Sequence, residues 1–176
     1  MKYIAFLRAI NVGGRRVKMD VLRDIFIGID GLSQVETFIA SGNVIFLSDT
    51  PAKALEAHIE TVLAEKLGYK VETFIRTTDE IIRITQYTAF AHYNPEADSL
   101  YVAFLPDNPH EDAIAKLYTF ANDLDEFHVN GRELYWLCHK SISESKFSNT
   151  KLEKALEMPA TVRDISTIKK LATKYP

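Results

Sequence analysis

The chain has 176 residues, 47% hydrophobic and 26% charged, a globular composition that excludes wholesale disorder. Its 21 Lys and Arg against 24 Asp and Glu leave a formal charge of −3, which excludes binding of nucleic acid or anionic membrane by bulk attraction. Cys138 is the single cysteine, so there is no intramolecular disulfide and no cysteine-based zinc site. With no apolar stretch long enough for a signal core or a membrane span, the expected compartment is the cytoplasm.

Lys2 to Arg8 is an apolar run of strand length, and Asn11-Val12-Gly13-Gly14 behind it reads as a loop. A helix is predicted from near Lys18 or Met19, because Met19, Leu22, Ile25, Phe26 and Ile29 recur at helical spacing and Gly31 suits its end. Val35 to Ala40 and Val44 to Leu47 are β-branched and aromatic, with Ser41-Gly42-Asn43 as a tight hairpin connection. A second helix opens at Pro51, carries Leu55, Ile59, Val62, Leu63 and Leu67 on one face, and closes at Gly68. Val71 to Arg76 is the next strand, which completes the order β-α-β-β-α-β.

Asp79 to about Ala89 reads as a connecting helix, and Tyr93-Asn94-Pro95 breaks the chain. The pattern then restarts. Leu100 to Leu105 echoes Tyr3 to Leu7, with Val102 for Ile4, and a helix follows with Ile114, Leu117, Tyr118 and Ala121. Phe127 to Val129 and Glu133 to Cys138 flank Asn130-Gly131, a type I′ hairpin signal. A short helix from Asn149 to Leu156, a brief strand at Thr161 to Arg163 and a terminal helix through Lys170 end the chain. The economical explanation is an internal duplication. The expected organisation is an α+β protein with a first βαββαβ repeat at 1–77, a connector at 78–97 and a second repeat with its C-terminal helix at 98–176.

Right-handed crossovers then give each repeat a four-stranded antiparallel sheet in the order 4-1-3-2, both helices on one face. Strands apolar on both faces suggest that the repeats cover each other's sheets. The topology also brings the Asn11–Gly14 loop beside the Ser41-Gly42-Asn43 turn.

That meeting point carries the chemistry. Arg8, Arg15, Arg16 and Lys18 surround Asn11, Gly13 and Gly14 with no acidic residue in the interval. Paired glycines before a helix let amide groups converge on an anion, and arginine recognises phosphate or carboxylate bidentately. The expected site is Arg8, Asn11, Gly13, Gly14, Arg15, Ser41 and Asn43, and its ligand a small phosphorylated or carboxylated molecule. Neither a full phosphate loop nor the three-glycine dinucleotide fingerprint is present, so nucleotide hydrolysis has no support.

Other patterns carry less. Ser143 and Lys146 match a Ser-x-x-Lys spacing without its companion motifs. Cys138 and His139 point to opposite faces of a strand and make no dyad. His58, His92, His110, His128 and His139 show no ligand spacing, so neither metal nor cofactor is expected. The second-choice function is single-stranded RNA binding, since the βαββαβ topology is shared with that module and Tyr3, Phe6 and Phe46 lie on central strands. A third is an interaction module without a ligand.

The run from Tyr3 to Gly14, with Met19, Leu22, Arg23, Val35, Thr37, Ile39 and Ser41 to Phe46, resembles the bacterial family known as domain of unknown function 1697. Ser145 to Ser148, Leu152, Glu153, Thr161 to Arg163, Thr167, Lys170 and Leu171 extend the likeness to the far end. The resemblance implies two ferredoxin-like units and carries no catalytic residue. Ala9 stands where the family usually has glycine, a change that need matter little if the position is extended strand. Asp164 and Ile165 stand where it tends to have Asn-Trp, which touches any site built on Arg163.

Overall fold

The computed structural model describes residues 1–176 and contains two α+β units, each with a four-stranded antiparallel sheet. In the first, β1 (Lys2–Leu7), α1 (Met19–Ile27), β2 (Ser33–Phe38), β3 (Asn43–Leu47), α2 (Ala52–Leu67) and β4 (Thr73–Thr77) follow in chain order. The strands lie in the order β2-β3-β1-β4. This is the 4-1-3-2 arrangement that right-handed crossovers require.

Alternation builds the core. Tyr3, Ala5 and Leu7 of β1 and Val44 and Phe46 of β3 pack with Leu22 and Phe26 of α1 and with Leu55, Ile59 and Leu63 of α2. Ile4, Phe6 and Ile45, at the alternate positions, are buried as well. The α1 and α2 side chains thus cover one face of the sheet.

The edge strand β4 is closed by carboxylates. Thr73 and Ile75 donate their backbone N–H to Glu60 and Glu56 Oε1, each at 2.8 Å, and Thr77 donates to Glu80 Oε2 at 2.7 Å. Glu56 and Glu60 stand one turn apart on α2, so their spacing matches alternate amides of an adjacent strand. The unpaired ladder that would otherwise template aggregation is occupied.

The second unit follows α3 (Thr78–Gln86). It contains β5 (Ser99–Phe104), α4 (Glu111–Tyr118), β6 (Asp125–Asn130), β7 (Glu133–Cys138), α5 (Asn149–Leu156), β8 (Thr161–Asp164) and the start of α6 (Ile165–Lys174). Its sheet runs β6-β7-β5-β8, the same order. Ala103, Leu105, Leu117, Leu134, Trp136, Phe147, Leu152 and Leu156 form its core. Buried Asp125 ties that core together, accepting from Trp136 Nε1 at 2.8 Å and from Ser145 Oγ at 2.7 Å.

Contacts group residues 1–83 with 171–176 and residues 84–170 separately, whereas the sequence boundaries put the connector at 78–97 and the C-terminal helix with the second repeat. Within the first group Tyr175 donates its hydroxyl to Glu36 Oε2 at 2.8 Å and sets its ring edge against Phe38. Two turns differ from expectation. Asn130 pairs with Glu133 in the ladder, so the hairpin loop is Gly131-Arg132, with positive φ at Gly131 alone, the pattern of a type II′ turn rather than type I′. Phe38 pairs with Asn43, which leaves a four-residue loop, Ile39 to Gly42, where a tighter turn was expected.

Candidate functional site

The loop after β1 and the hairpin loop after β2 do meet. Leu7 donates its N–H to Gly42 O at 2.9 Å, and Asn11 Nδ2 reaches Ala40 O at 3.0 Å. Asn11 Oδ1 accepts from Val17 N, so this one side chain closes the neck of the loop and pins it to the hairpin. Buried Asn43 donates to Phe38 O and Ser41 Oγ. Asn11, Ser41 and Asn43 therefore shape the junction.

Its cations divide into two groups. Half-buried Arg8 bonds Glu72 Oε2 at 3.1 Å, and Lys70 lies 3.5 Å from the other oxygen of the same carboxylate. Arg15 is exposed and holds its guanidinium 4.2 Å from the centre of the Tyr69 ring. Arg16 and Lys18 are exposed, and none of Arg15, Arg16 and Lys18 bonds a carboxylate. Gly13 and Gly14 follow each other at φ +66 and +84 and have open space around them. Their amides bond no acceptor of the protein. Arg15, Arg16 and Lys18 thus follow the two glycines without a carboxylate partner, whereas Arg8 is engaged by Glu72.

The remaining sequence patterns settle into structural work. Ser145 donates to Asp125, and Ser143 contacts Ser141, whose residue caps a single 3-10 turn with Glu144. Cys138 is fully buried and its thiol is pushed up by that burial. Tyr3, Phe6 and Phe46 are all buried, so they form no open platform on which bases could stack.

A second cluster escaped the sequence reading, which saw five histidines without ligand spacing. Glu126 and His128 share one face of β6, and Tyr135, Leu137 and His139 continue the corresponding face of β7. Asp98 precedes β5, whose Ser99 pairs with Cys138, so Asp98 lies next to His139. The result is a convergence: His139 Nδ1 is 3.0 Å from Asp98 Oδ1, His139 Nε2 is 2.6 Å from Glu126 Oε1, and His92 Nε2 is 2.8 Å from that same oxygen. The two imidazoles stack at 5.8 Å between centroids. Asp98 and then Glu126 raise the His139 pKa above the ordinary value. The Asp98 carboxyl is held low, first by the Asn94 backbone N–H and then by His139. Burial pushes the Glu126 carboxyl up, but bonds from His92 and His139 bring it below the ordinary value. Strand parity was the available signal; the segment that delivers His92 has no periodicity to read.

Comparison with known proteins decides the family. The profile of a family described as "Protein of unknown function (DUF1697)" matches residues 1–135. The chain belongs to DUF1697. No curated protein matches it. Among solved structures it is similar to the conserved bacterial protein SP0830 from Streptococcus pneumoniae, with 23% identity, a TM-score of 0.76, and coverage of 98% of this chain and 97% of that one. At that identity the likeness is one of fold. No helix is long and apolar enough to cross a membrane.

The positions at which the resemblance was expected to lapse have a plain structural setting. Ala9 sits at φ +52, a left-handed position that favours glycine, so the condition under which its change would matter little, an extended strand, is not met. Asp164 Oδ1 accepts from Ser166 N at 2.7 Å at the start of α6, and Ile165 is buried. Arg163 is buried and bonds Thr161 Oγ1 and Val162 O, and burial pushes its pKa down to about 10. It pairs with Val102 as the fully buried Arg76 pairs with Ile4, so both sheets carry this arginine at the same place.

Proposed function

We propose that this DUF1697 protein binds a small phosphorylated or carboxylated molecule at the loop after β1. Consecutive left-handed glycines with unbonded amides, followed in the chain by three exposed cations that bond no carboxylate, carry the reading. Such a nest of N–H groups selects anions, and Arg15, prepositioned over Tyr69, adds a planar fork for their oxygens. Asn11 fixes the loop so that little ordering is required on binding. The fold does not itself demand this chemistry. In the second repeat the equivalent connection holds Pro106, Asp107, Asn108 and Pro109, with no arginine, lysine or glycine.

A thermal-shift panel of inorganic phosphate, sugar phosphates, nucleotides and small carboxylates tests the proposal. A ligand at a hundred times its Kd adds about 2.7 kcal/mol, which raises Tm by roughly 5–11 °C for a protein of this size. An Arg15→Ala/Arg16→Ala variant should fold normally and lose the shift. No response from any compound, or an equal response from the variant, refutes it.

A further inference from the structure

We propose that His92, Glu126 and His139 form a binding site for a divalent transition-metal cation of the zinc class, positioned by Asp98. The site lies in the second repeat and is independent of the loop reading.

One ligand atom from each of His92, Glu126 and His139 lies within 4.8 Å of the other two, and both Nε2 atoms contact Glu126 Oε1. In a tetrahedral zinc site with bonds near 2.0–2.2 Å, neighbouring ligand atoms stand about 3.3 Å apart. The present contacts of 2.6 and 2.8 Å reach that spacing by a small opening. His92 has room to supply it, since its side chain is 56% exposed.

The hydrogen-bond geometry is compatible with a cation. His139 has a carboxylate at each ring nitrogen: Asp98 at Nδ1 and Glu126 at Nε2. A neutral imidazole has one N–H and can serve one of them. The second contact requires either another proton or a positive ion between Nε2 and Glu126. With a metal present, Nδ1–H donates to Asp98 and the Nε2 lone pair faces the ion, the carboxylate–histidine–metal arrangement that fixes the tautomer and raises ligand basicity. Asp98 is suited to this role because its side chain is only 9% exposed.

The donor set also selects the metal. Two imidazoles and one carboxylate suit zinc, nickel or copper, whereas magnesium and calcium prefer oxygen ligands alone. Three protein ligands leave a fourth position for water or a small ligand. Phe90, whose ring lies 6.0 Å from that of His92 and 6.4 Å from that of His128, provides an apolar wall nearby.

The test uses the full chain, free of any affinity tag and stripped with chelator, titrated calorimetrically with Zn²⁺ and spectroscopically with Co²⁺. One equivalent should bind, and Co²⁺ should show visible bands of a four-coordinate site. His92→Ala removes an exposed ligand, so its fold stays intact, and at least a tenfold loss of affinity is expected. His92→Ala/His139→Ala should lose more than a hundredfold, and a His58→Ala/His110→Ala control should match the parent. Asp98→Asn should weaken Zn²⁺ by 10- to 100-fold while keeping the Co²⁺ coordination number. Absence of stoichiometric binding, or unchanged affinity in the correctly folded His92→Ala protein, overturns the site. An Asp98→Asn protein equal to the parent overturns the positioning role.

Discussion

Gly42→Ala probes the junction on which the loop geometry depends. Gly42 has φ +75, and a Cβ there would lie 2.6 Å from Ile10 Cγ2 and 3.2 Å from Leu7 Cβ. The left-handed conformation costs an alanine roughly 1–2 kcal/mol, and relieving an overpacked contact in a buried site costs about 1–3 kcal/mol more. The expected loss is therefore about 2–5 kcal/mol. Gly13→Ala is the matched control, since φ is +66 but nothing lies within 4 Å of its added Cβ. It should lose about 1–2 kcal/mol, the conformational part alone. Urea unfolding followed by far-UV circular dichroism reads the difference. Fluorescence would not serve, because the single tryptophan, Trp136, belongs to the second unit. Equal midpoints for the two variants, at unchanged slope, would refute the claimed contact between the hairpin loop and the connection after β1.

Ala9→Gly should stabilise the protein by up to about 1 kcal/mol, because relief of the left-handed strain exceeds the added freedom of the unfolded chain; a lower urea midpoint counts against this. Asp125→Ala leaves the Trp136 indole N–H and the Ser145 hydroxyl without their buried acceptor. A loss of about 2–3 kcal/mol and a red shift of Trp136 emission are expected, and an unshifted spectrum contradicts the assignment. Glu56→Ala strands the buried Ile75 N–H and should cost about 1–3 kcal/mol; faster amide exchange at Ile75, measured by NMR, is the local readout, and unchanged protection would refute it.

The fold was legible because periodicity and topology are local or rule-bound. The echo of Tyr3 to Leu7 in Tyr101 to Leu105, followed by the same element order, led directly to two sheets of identical strand order. The meeting of Asn11 with the hairpin followed from that order alone. What could not be read was the choice of partner. Arg8 bonds Glu72, which lies 64 residues away and just ahead of β4, and nothing near Arg8 in sequence announces it. The left-handed backbone at Ala9 was not legible either, because apolar composition does not encode the sign of φ. The histidine cluster was hidden for another reason. It joins residues 92, 98, 126 and 139, whose proximity comes from register across β5, β7 and β6 rather than from spacing along one element.

The basic loop and the histidine cluster lie at opposite ends of two sheets of the same strand order. In the first repeat the basic loop leaves the C-terminal end of β1, beside the hairpin joining β2 and β3. In the second repeat Asp98 enters β5 and His139 leaves β7, at the end away from the Gly131-Arg132 hairpin. The register relating the repeats sets Asp49 where His139 stands, because Tyr3 pairs with Phe46 as Tyr101 pairs with Trp136. Asp49 is exposed and lies 3.9 Å from the terminal ammonium, so the same frame position holds a solvated ion pair in one repeat and an imidazole between two carboxylates in the other. Packing alone requires neither arrangement, since both positions lie beyond their strands and outside the apolar clusters. Freed from packing, such positions can change residue without cost to the sheet, so the side chains beyond the strand ends can differ while the βαββαβ frame stays the same.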